Sequence, residues 1–425
     1  MIHQEPRSVA FIESAAAMGG VQFSTLYLAQ NLNHRQWKPT VACPEEGDLT
    51  RACREVGIGT RIVGYPRLWS TSVRIGHRIR IPNPFAWIWN LGVMWRAAQS
   101  VKRFLALSSP DVVVTKGLAS HFIGGLAARS LRIPCVWHVQ DLISERNFGI
   151  YRRIFGFAAR WLPQHIIVDG IAIKEQLPST IHARVSVIHN GVDMNVFRPG
   201  RDGSRARQEL GITAEQLVLG HVARVTPWKG QHYLIEAFAQ IAQHYPNLVL
   251  LFVGSPVFDH DAYELRLRAM AKNLGLQHRI KFAGYRHDLP NILAAMDVFA
   301  YTSVEKDTSP LALLSAMASG LPIVAFDIRG VRELVGDSAT FLLSPVGDVA
   351  SLAKSVASLI SDRQLRMSLG QHARRTAAAR FSVENYNNGI EAILNQICRA
   401  ATATISSVDS ELSAMQQADG VKIAL

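Results

Sequence analysis

The loop from Arg224 to Gly230 carries two cations at a spacing that suits a diphosphate. It follows an apolar strand candidate over 217–222 and precedes an amphipathic segment. An Arg side chain can bind an anion through two parallel N–H groups, and the ammonium of Lys229 acts as a point charge. Pro227 and Gly230 favour a defined turn in this loop. Two solvated surface cations are the alternative interpretation.

Two carboxylates follow another strand candidate, Val298–Tyr301. Glu305 and Asp307 lie in the loop after it, and Pro310 suits the first turn of the helix that follows. The segment 307–309 is therefore predicted to lie at a helix N-terminus, where its polar groups can accept hydrogen bonds from sugar hydroxyls. Capping of that helix is the alternative role.

A pair of glycines, Gly19 and Gly20, stands between the first strand candidate and a helix predicted over 22–31. Glycines at a helix N-terminus let backbone N–H groups approach an anion closely. A purely structural turn is the alternative. The chain contains no G-x-G-x-x-G sequence, which argues against a nicotinamide-dependent dehydrogenase.

Short apolar runs alternate with amphipathic segments along almost the whole chain. Such runs are typical of parallel strands buried on both faces, and the alternation predicts βαβ units. The strand candidates are Val9–Ile12, Thr40–Cys43, Val112–Thr115, Cys135–His138, Ile166–Val168, Val185–His189, Leu217–Val222, Leu248–Val253, Ile280–Phe282, Val298–Tyr301, Ile323–Phe326 and Phe341–Leu343. We therefore predict an α/β protein with two Rossmann-like, doubly wound parallel-sheet domains facing a central cleft. Ligands of such sheets bind at the carboxyl ends of the strands.

The domain boundary is predicted within 193–205, where Pro, Gly and charged residues cluster. This gives an N-terminal domain over 1–198 and a C-terminal domain over 199–380. Residues 401–425 lose apolar periodicity and are predicted to be a loose tail.

Positive charge is concentrated in the first half of the chain. The net charge is +12, and residues 1–199 hold 23 Lys and Arg against 12 Asp and Glu. Residues 56–110 contain no acidic residue, and 146–161 is a second basic and aromatic run. The basic and Trp residues assigned to this surface are Trp69, Arg74, Arg78, Arg80, Trp87, Trp89, Trp95, Arg96, Lys102 and Arg103. Cations interleaved with Trp suit an anionic membrane surface or a lipid-phosphate acceptor. A solvated basic face is the alternative, whereas nucleic-acid binding lacks any accompanying motif.

Composition excludes several other classes of protein. With 48% hydrophobic and 18% charged residues, the chain can form sizeable cores and is not a disordered tail protein. Its four cysteines include no C-x-x-C pair, which argues against a zinc ribbon and for a reducing compartment. No apolar run has the length of a transmembrane helix, and the start lacks the apolar region of a signal peptide. We therefore expect a cytoplasmic protein, peripheral at the inner face of the membrane.

Six segments in this order resemble the retaining glycosyltransferases of family 4, which have the GT-B fold, over nearly the whole length. They are MGGV (18–21), HNGVD (189–193), RVTPWKG (224–230), FAGYRHDLPNILAAMDVFAYTS (282–303), LLSAMASGLPIVA (313–325) and FSVE (381–384). In that family the last helix packs back on the N-terminal domain, so the resemblance places 385–400 there.

The resemblance implies transfer of a hexosyl group from a nucleotide-diphosphate sugar with retention at the anomeric carbon, without a metal or cofactor. Arg224 and Lys229 match the cationic pair that neutralises the leaving diphosphate. Gly19 and Gly20 match the backbone amides that face the diphosphate from the other domain. His138 is similar to the histidine that reaches the donor sugar, although Gln140 precedes Asp141, where the family's histidine often stands.

The remaining donor-binding residues also come from the resemblance. Tyr285 and Arg286 match the segment whose backbone meets the nucleobase. The loop that matches the sugar-binding segment contributes Glu305, Asp307, Ser309, Pro310 and Leu311.

One position departs from the family pattern. The family has two glutamates separated by seven residues, the first near the sugar and the second on the ribose. These positions fall on Asp307 and Ser315, and Glu305 lies near enough to compensate for the shorter Asp. Loss of a charge-assisted hydrogen bond to the ribose costs about 1.5–3 kcal/mol of donor affinity. We therefore expect an active enzyme with weak or unusual donor binding.

The sequence thus favours a membrane-surface glycosyltransferase that extends a cell-surface polysaccharide or a lipid-linked glycan. The alternative is a non-catalytic protein that binds sugar nucleotides or assists assembly on the same fold, which Ser315 motivates. The retained Arg224, Lys229 and Asp307 argue against that alternative. No nucleic-acid partner is expected.

Overall fold

The computed structural model describes residues 5–64, 69, 72–75, 79–143, 149–256, 260–305, 307–335 and 341–420. The chain divides into two compact units. Unit 1 comprises residues 1–169, 173–188 and 387–425, and unit 2 comprises residues 170–172 and 189–386. The chain therefore passes from unit 1 to unit 2 after Ile188, earlier than the boundary that we predicted after residue 198.

Unit 1 is built on a seven-stranded parallel sheet. Its strands are β1 (Arg7–Glu13), β2 (Trp37–Cys43), β3 (Gly59–Ile62), β6 (Val112–Lys116), β7 (Cys135–Val139), β8 (His165–Val168) and β9 (Val185–Val187), in the spatial order β3-β2-β1-β6-β7-β8-β9. A separate antiparallel hairpin pairs β4 (Ser72–Ile75) with β5 (Ile79–Pro82). The helices are α1 (Gly20–Asn31), α2 (Asp48–Glu55), α3 (Pro84–Ser108), α4 (Leu118–Ser130), α5 (Ile150–Trp161) and α6 (Ile171–Gln176).

Unit 2 is built on a six-stranded parallel sheet. Its strands are β10 (Leu217–Val222), β11 (Leu248–Val253), β12 (Ile280–Phe282), β13 (Val298–Tyr301), β14 (Ile323–Phe326) and β15 (Phe341–Ser344), in the order β12-β11-β10-β13-β14-β15. The helices are α7 (Ser204–Glu209), α8 (Gln231–Ile241), α9 (Asp261–Asn273), α10 (Leu289–Ala294), α11 (Leu311–Ala318), α12 (Arg329–Val335), α13 (Val349–Ser361) and α14 (Arg363–Arg380).

The apolar runs explain why these segments form the two sheets. Every residue of β6, β7, β11, β13 and β14 is buried, as expected for strands that are covered by helices on both faces. All twelve predicted strands are present, and the doubly wound α/β class is confirmed. The strand β3 was not predicted because its residues are mostly exposed at the sheet edge and form no apolar run.

The last helix, α15, extends from Val383 to Gly420. It enters unit 1 at Asn387, where the side chain of Glu391 accepts a hydrogen bond from the N–H of Asn33 at 2.7 Å. We expected 385–400 to pack on the N-terminal domain. Residues 387–400 belong to unit 1, whereas Asn385 and Tyr386 belong to unit 2, where Nδ2 of Asn385 donates a hydrogen bond to the carbonyl oxygen of Ala379 at 3.0 Å. The backbone remains helical from residue 401 to Gly420, where we expected a loose tail. Among the described helices, none combines the length and the apolar character needed to cross a membrane.

Candidate active site

The turn that carries the two cations lies directly after β10 in unit 2. Residues 227–229 form a single 3₁₀ turn, and Gly230 then adopts a φ of +67° at the start of α8. A Cβ atom on Gly230 would overlap the carbonyl oxygen of Thr302, which follows β13. Glycine is therefore required for the left-handed conformation and for the close approach. This contact fixes the turn against the end of β13.

Lys229 joins the loop after β10 to the loop after β13. Its Nζ donates a hydrogen bond to Oδ2 of Asp307, and the hydroxyl of Tyr301 donates to the same oxygen. Ser303 Oγ donates to Oδ2 at 2.8 Å. The side chain of Lys229 is 10% exposed and that of Asp307 is 27% exposed. We call Lys229, Tyr301, Ser303 and Asp307 the lysine–aspartate cluster.

The lysine–aspartate cluster keeps Asp307 ionised. Burial raises the pKa of the Asp307 carboxyl, but Lys229 and the hydrogen bonds from Tyr301 and Ser303 outweigh burial, so this pKa lies below its ordinary value. Burial and the charge of Asp307 raise the pKa of Tyr301 well above its ordinary value, so the phenol remains a donor. All three bonds fall on Oδ2, which leaves Oδ1 of Asp307 as an acceptor for a ligand hydroxyl.

Arg224 lies on the surface beside the same cluster. Its backbone oxygen accepts a hydrogen bond from Nε2 of Gln231 at 2.8 Å, which ties the start of the loop to α8. The charge of Arg224 acts on Tyr301, and Nζ of Lys229 lies 5.7 Å from the centre of the Tyr301 ring. The charges of an exposed guanidinium and a buried ammonium thus both lie near Tyr301. Their role as a diphosphate site stays a prediction.

The segment 307–309 lies at the N-terminus of α11, as predicted. Pro310 is the N-cap residue and Leu311 is the first residue of the helix. Ser309 is buried, and its Oγ accepts a hydrogen bond from the N–H of Asn190 at 2.9 Å. Nδ2 of Asn190 also donates to the Ser309 carbonyl at 2.8 Å. The HNGVD segment therefore anchors this loop, a role that its sequence alone did not indicate.

Two donor-site positions differ in accessibility. Glu305 is exposed, at the outer side of the loop that carries Asp307. Ser315 on α11 is 4% exposed. The family pattern has a glutamate at this position. A short side chain at this position cannot extend as far from the helix as Glu.

The segment around Tyr285 and Arg286 follows β12. Tyr285 is exposed and packs edge-on against His287, with 4.8 Å between the ring centres. The guanidinium of Arg286 is paired with Asp288 at 2.7 Å and with Glu209 at 2.8 Å. Arg286 therefore holds its own loop in place, while the Tyr285 ring remains accessible to a ligand.

The two glycines of unit 1 form the start of α1. Gly19 is the N-cap residue with an extended conformation and no side-chain cap, and Gly20 begins the helix. A Cβ on Gly20 would meet no atom within 4 Å. Packing within the protein therefore does not require this glycine, whereas a closely approaching ligand would.

His138 is completely buried. It belongs to a row of three titratable residues at the carboxyl end of the unit 1 sheet. Glu13 on β1 is in register with Lys116 on β6, and Lys116 is in register with His138 on β7. All three side chains have no exposed surface. We call Glu13, Lys116 and His138 the strand-end row.

Burial dominates the titration of the strand-end row. It raises the pKa of Glu13 to about 7 and lowers that of Lys116 to about 7. Burial, followed by the charge of Lys116, lowers the pKa of His138 well below its ordinary value, so the imidazole is neutral. Sequence reasoning identified His138 but missed Glu13 and Lys116. The sequence feature that could have identified them is a titratable residue at the end of each of these three apolar strands.

The basic and Trp-rich surface is centred on α3. Trp69 stacks on Trp89 with 4.9 Å between ring centres, and Trp95 and Arg96 are also exposed. Lys102 is half-buried and Arg103 is exposed further along α3. Arg78 lies outside the described residues. Of the other predicted residues, Trp87 is on α3, and Arg74 and Arg80 are in register on β4 and β5.

A second exposed apolar stripe follows one face of α5. Ile150, Ile154, Phe157 and Trp161 are exposed at helical spacing, and Phe157 is 66% exposed. Beside them, a cavity of about 400 Å³ is lined by Arg152, Arg153, Gly156, Phe157, Arg160, Gln176, Leu177 and Pro178. Apolar side chains and arginines thus share one face of unit 1. In the described ranges, no group of three His, Cys, Asp or Glu residues is arranged to hold a metal ion.

Comparisons with known proteins identify the family of this chain. The family model described as Glycosyltransferase Family 4 matches residues 18–196, and the model described as Glycosyl transferases group 1 matches residues 202–376. The chain is 26% identical over 388 residues to an Escherichia coli UDP-Gal:alpha-D-GlcNAc-diphosphoundecaprenol alpha-1,3-galactosyltransferase, covering 88% of this chain and 93% of the relative.

A second relative and a solved structure cover most of the chain as well. A D-inositol 3-phosphate glycosyltransferase of Corynebacterium glutamicum (strain R) is 31% identical over 360 residues, covering 76% of this chain and 84% of the relative. The structure of HepE from Anabaena in complex with UDP and glucose matches with a TM-score of 0.77 and 26% identity, covering 92% of this chain and 99% of HepE.

Proposed function

The chain belongs to family 4 of the glycosyltransferases and has the GT-B fold, and we propose that it is a retaining hexosyltransferase acting at a membrane surface. Its donor is a nucleotide-diphosphate sugar, and its acceptor is a cell-surface polysaccharide or a lipid-linked glycan. The bond between the anomeric carbon and the phosphate oxygen breaks, and the acceptor oxygen bonds to that carbon on the same face. The nucleoside diphosphate leaves with the bonding electron pair, and the acceptor hydroxyl releases its proton.

The lysine–aspartate cluster is the observation that carries this proposal. Lys229 and Arg224 supply the positive charge that the leaving diphosphate needs as its own charge grows. Oδ1 of Asp307 can accept a hydrogen bond from a sugar hydroxyl while Oδ2 remains bonded to Lys229. Donor phosphate and donor sugar would therefore be recognised by adjacent parts of one cluster in unit 2.

The same cluster supports a reaction without a metal ion or cofactor. A divalent cation commonly neutralises a leaving diphosphate, and carboxylates hold it. Here the carboxylate of Asp307 is engaged by an ammonium instead, and a second cation, Arg224, lies beside it. We propose that the two side chains supply the whole of that charge.

UDP is the nucleotide that we propose first for the donor. The name of the Escherichia coli relative contains UDP-Gal, and HepE was solved with UDP and glucose. Ser315 argues that ribose recognition is weaker here than a glutamate would provide, so the nucleobase and diphosphate contacts contribute a larger share of the affinity.

A lipid-linked acceptor fits the exposed faces of α3 and α5. Trp69 and Trp95 on one surface, and Phe157 and Trp161 on the other, place aromatic rings next to arginines. Aromatic side chains favour the headgroup region of a bilayer, and arginines bind lipid phosphates. The name of the Escherichia coli relative also contains a diphospholipid-linked sugar, which supports an acceptor of this chemistry.

Vesicle sedimentation tests the membrane part of the proposal. The double variant Phe157→Ser/Trp161→Ser should bind anionic phosphatidylglycerol vesicles at least about tenfold more weakly than the wild type, because two apolar side chains no longer enter the interface. The variant Leu265→Ser removes a similarly exposed apolar side chain from unit 2 and should bind as the wild type does. Equal recovery of the wild type with neutral and anionic vesicles would contradict membrane attachment.

A donor panel tests the enzymatic part. Purified protein is incubated with UDP-, GDP-, ADP- and dTDP-sugars, and release of the nucleoside diphosphate is measured with and without a lipid-linked acceptor and a chelator. One donor should be turned over, with the product configuration retained by NMR and the rate unchanged by the chelator. Arg224→Ala and Lys229→Ala should abolish turnover, whereas the exposed-site controls Lys272→Ala and Arg375→Ala should not. Absence of turnover with every donor and acceptor would overturn the proposal.

A further inference from the structure

Glu13 and Lys116 are buried titratable side chains to which the proposed reaction assigns no role. Both side chains are fully buried, and they lie in register on neighbouring strands at the carboxyl end of the unit 1 sheet. Buried charges destabilise a fold unless their partners compensate, and an apolar pair of similar volume often serves stability equally well. The carboxyl edge of such a sheet is where ligands bind. Their position at this edge therefore points to a functional requirement.

Lys116 connects three elements of unit 1. Its Nζ donates a hydrogen bond to Oγ of Ser24 on α1 at 2.7 Å. The same Oγ lies 2.9 Å from Oε1 of Gln140, directly after β7, and 2.8 Å from the carbonyl oxygen of Val21. One ammonium group thus joins β6, the first turn of α1 and the segment that follows His138.

Glu13 holds the same part of α1 from the neighbouring strand. Its Oε1 accepts a hydrogen bond from Oγ1 of Thr25, and its Oε2 accepts one from Nε2 of Gln22 at 3.3 Å. Together with Lys116, Glu13 therefore engages three polar side chains within the first six residues of the helix.

These bonds replace the usual anchor of a helix N-terminus. The N-cap residue of α1 is Gly19, which has no side chain, and Gly20 opens onto free space. The buried bonds from the strands to Gln22, Ser24 and Thr25 therefore anchor this end of the helix.

We propose that Glu13 and Lys116 are positioning residues of the transfer reaction. Their side chains fix the start of α1, so that the N–H groups of Gly19 and Gly20 keep a constant direction toward a ligand at this edge of the unit 1 sheet. This inference rests on the proposed function. Displacement of such groups by about 1 Å is enough to slow an enzymatic step on the order of a hundredfold.

A comparison of single and double variants separates positioning from stability. Glu13→Met and Lys116→Met each remove one of two buried groups that interact electrostatically, together with its hydrogen bonds to α1, and each should lower the thermal midpoint. The double variant Glu13→Met/Lys116→Met replaces both charges with apolar side chains and should recover most of that loss. Its kcat should remain ten- to a hundredfold below the wild type, while UDP affinity stays within about threefold because the cluster in unit 2 is intact. A purely structural pair would instead recover kcat together with the thermal midpoint.

Hydrogen exchange gives a second readout that does not depend on activity. The amides of residues 20–25 should exchange at least tenfold faster in the double variant, and those of α8 should be unchanged. The controls Lys38→Met and Glu55→Met alter the same residue types at exposed positions of unit 1 and should change neither readout. Unchanged exchange at residues 20–25 overturns the inference. A wild type without transfer activity overturns the proposed function, and the exchange result then still decides the positioning role.

Discussion

Replacing Lys229 by Met should separate its contact with Asp307 from the role at the diphosphate that we propose for it. Methionine keeps most of the length of the side chain but removes the charge and the hydrogen bond to Asp307. The carboxylate then keeps only Tyr301 and Ser303 as donors in a site where its side chain is 27% exposed. Loss of one partner of a buried ion pair costs about 3–5 kcal/mol, and partial exposure reduces this to about 2–3 kcal/mol.

The double variant Lys229→Met/Asp307→Asn should restore most of this stability. An amide carries no charge that needs a partner, and it still accepts from Tyr301 or Ser303. For a unit of this size, a loss of about 2–3 kcal/mol lowers the thermal midpoint by about 4–12 °C. We expect the single variant to show that decrease and the double variant to lie within about 3 °C of the wild type.

Activity should not follow stability in this series. Both variants lack the ammonium that we propose stabilises the leaving diphosphate, so kcat/KM should fall on the order of 10²–10³-fold in each. The assay is calorimetric unfolding together with initial rates of nucleoside diphosphate release. If the double variant is as unstable as Lys229→Met, the ion pair is not the source of the instability. If it regains activity together with stability, Lys229 does not act on the diphosphate.

Three further predictions follow from single positions. Ser315→Glu should bind UDP about ten- to a hundredfold more tightly than the wild type by calorimetry, because a carboxylate would reach the ribose. Ser315→Gln should gain much less affinity. Equal UDP affinity of Ser315→Glu and the wild type would refute our explanation of the missing family glutamate at this position. Gly230→Ala should lower the thermal midpoint by more than Gly211→Ala does. Both glycines have left-handed φ values, but only Gly230 also lies close to a backbone carbonyl oxygen. An equal decrease of the thermal midpoint in both variants would contradict that close approach. Burial lowers the pKa of His121 to about 3 in the folded chain. The unfolded chain therefore binds a proton at this residue at higher pH than the folded chain does. The free energy of unfolding should consequently decrease as the pH falls from about 6.5 toward 3. His121→Leu should reduce that slope in acid-unfolding curves, and an unchanged slope would contradict a neutral buried imidazole.

Most of the fold could be predicted from the sequence because its strands are continuous apolar runs. LVLLFV in β11 and VVVTK in β6 are buried on both faces, and both were identified without knowledge of the sheet order. Prediction failed where no apolar run marked the element. β3 lies at a sheet edge with mostly exposed residues, and residues 401–420 form a helix without a clear apolar period.

The candidate site was predictable as far as residue types at strand ends allowed. Lys229 and Asp307 were both identified, but their direct ion pair depends on the adjacent positions of β10 and β13, which sequence spacing does not give. The link between Glu13 and Lys116 was missed for the same reason, because 103 positions of chain separate residues that strand register brings together. The pairing of Arg286 with Glu209 likewise requires the packed structure.

The most direct test of the central claim is the affinity of unit 2 for a nucleoside diphosphate. Isothermal titration of UDP into the wild type, Arg224→Ala and Lys229→Met would measure it on the intact chain, with Lys272→Ala as the control. We predict that the wild type and the control bind UDP with equal affinity, and that each of the other variants binds at least about tenfold more weakly because a charge-assisted bond to phosphate is lost. Equal UDP affinity in all four proteins would contradict the claim that Arg224 and Lys229 form the diphosphate site.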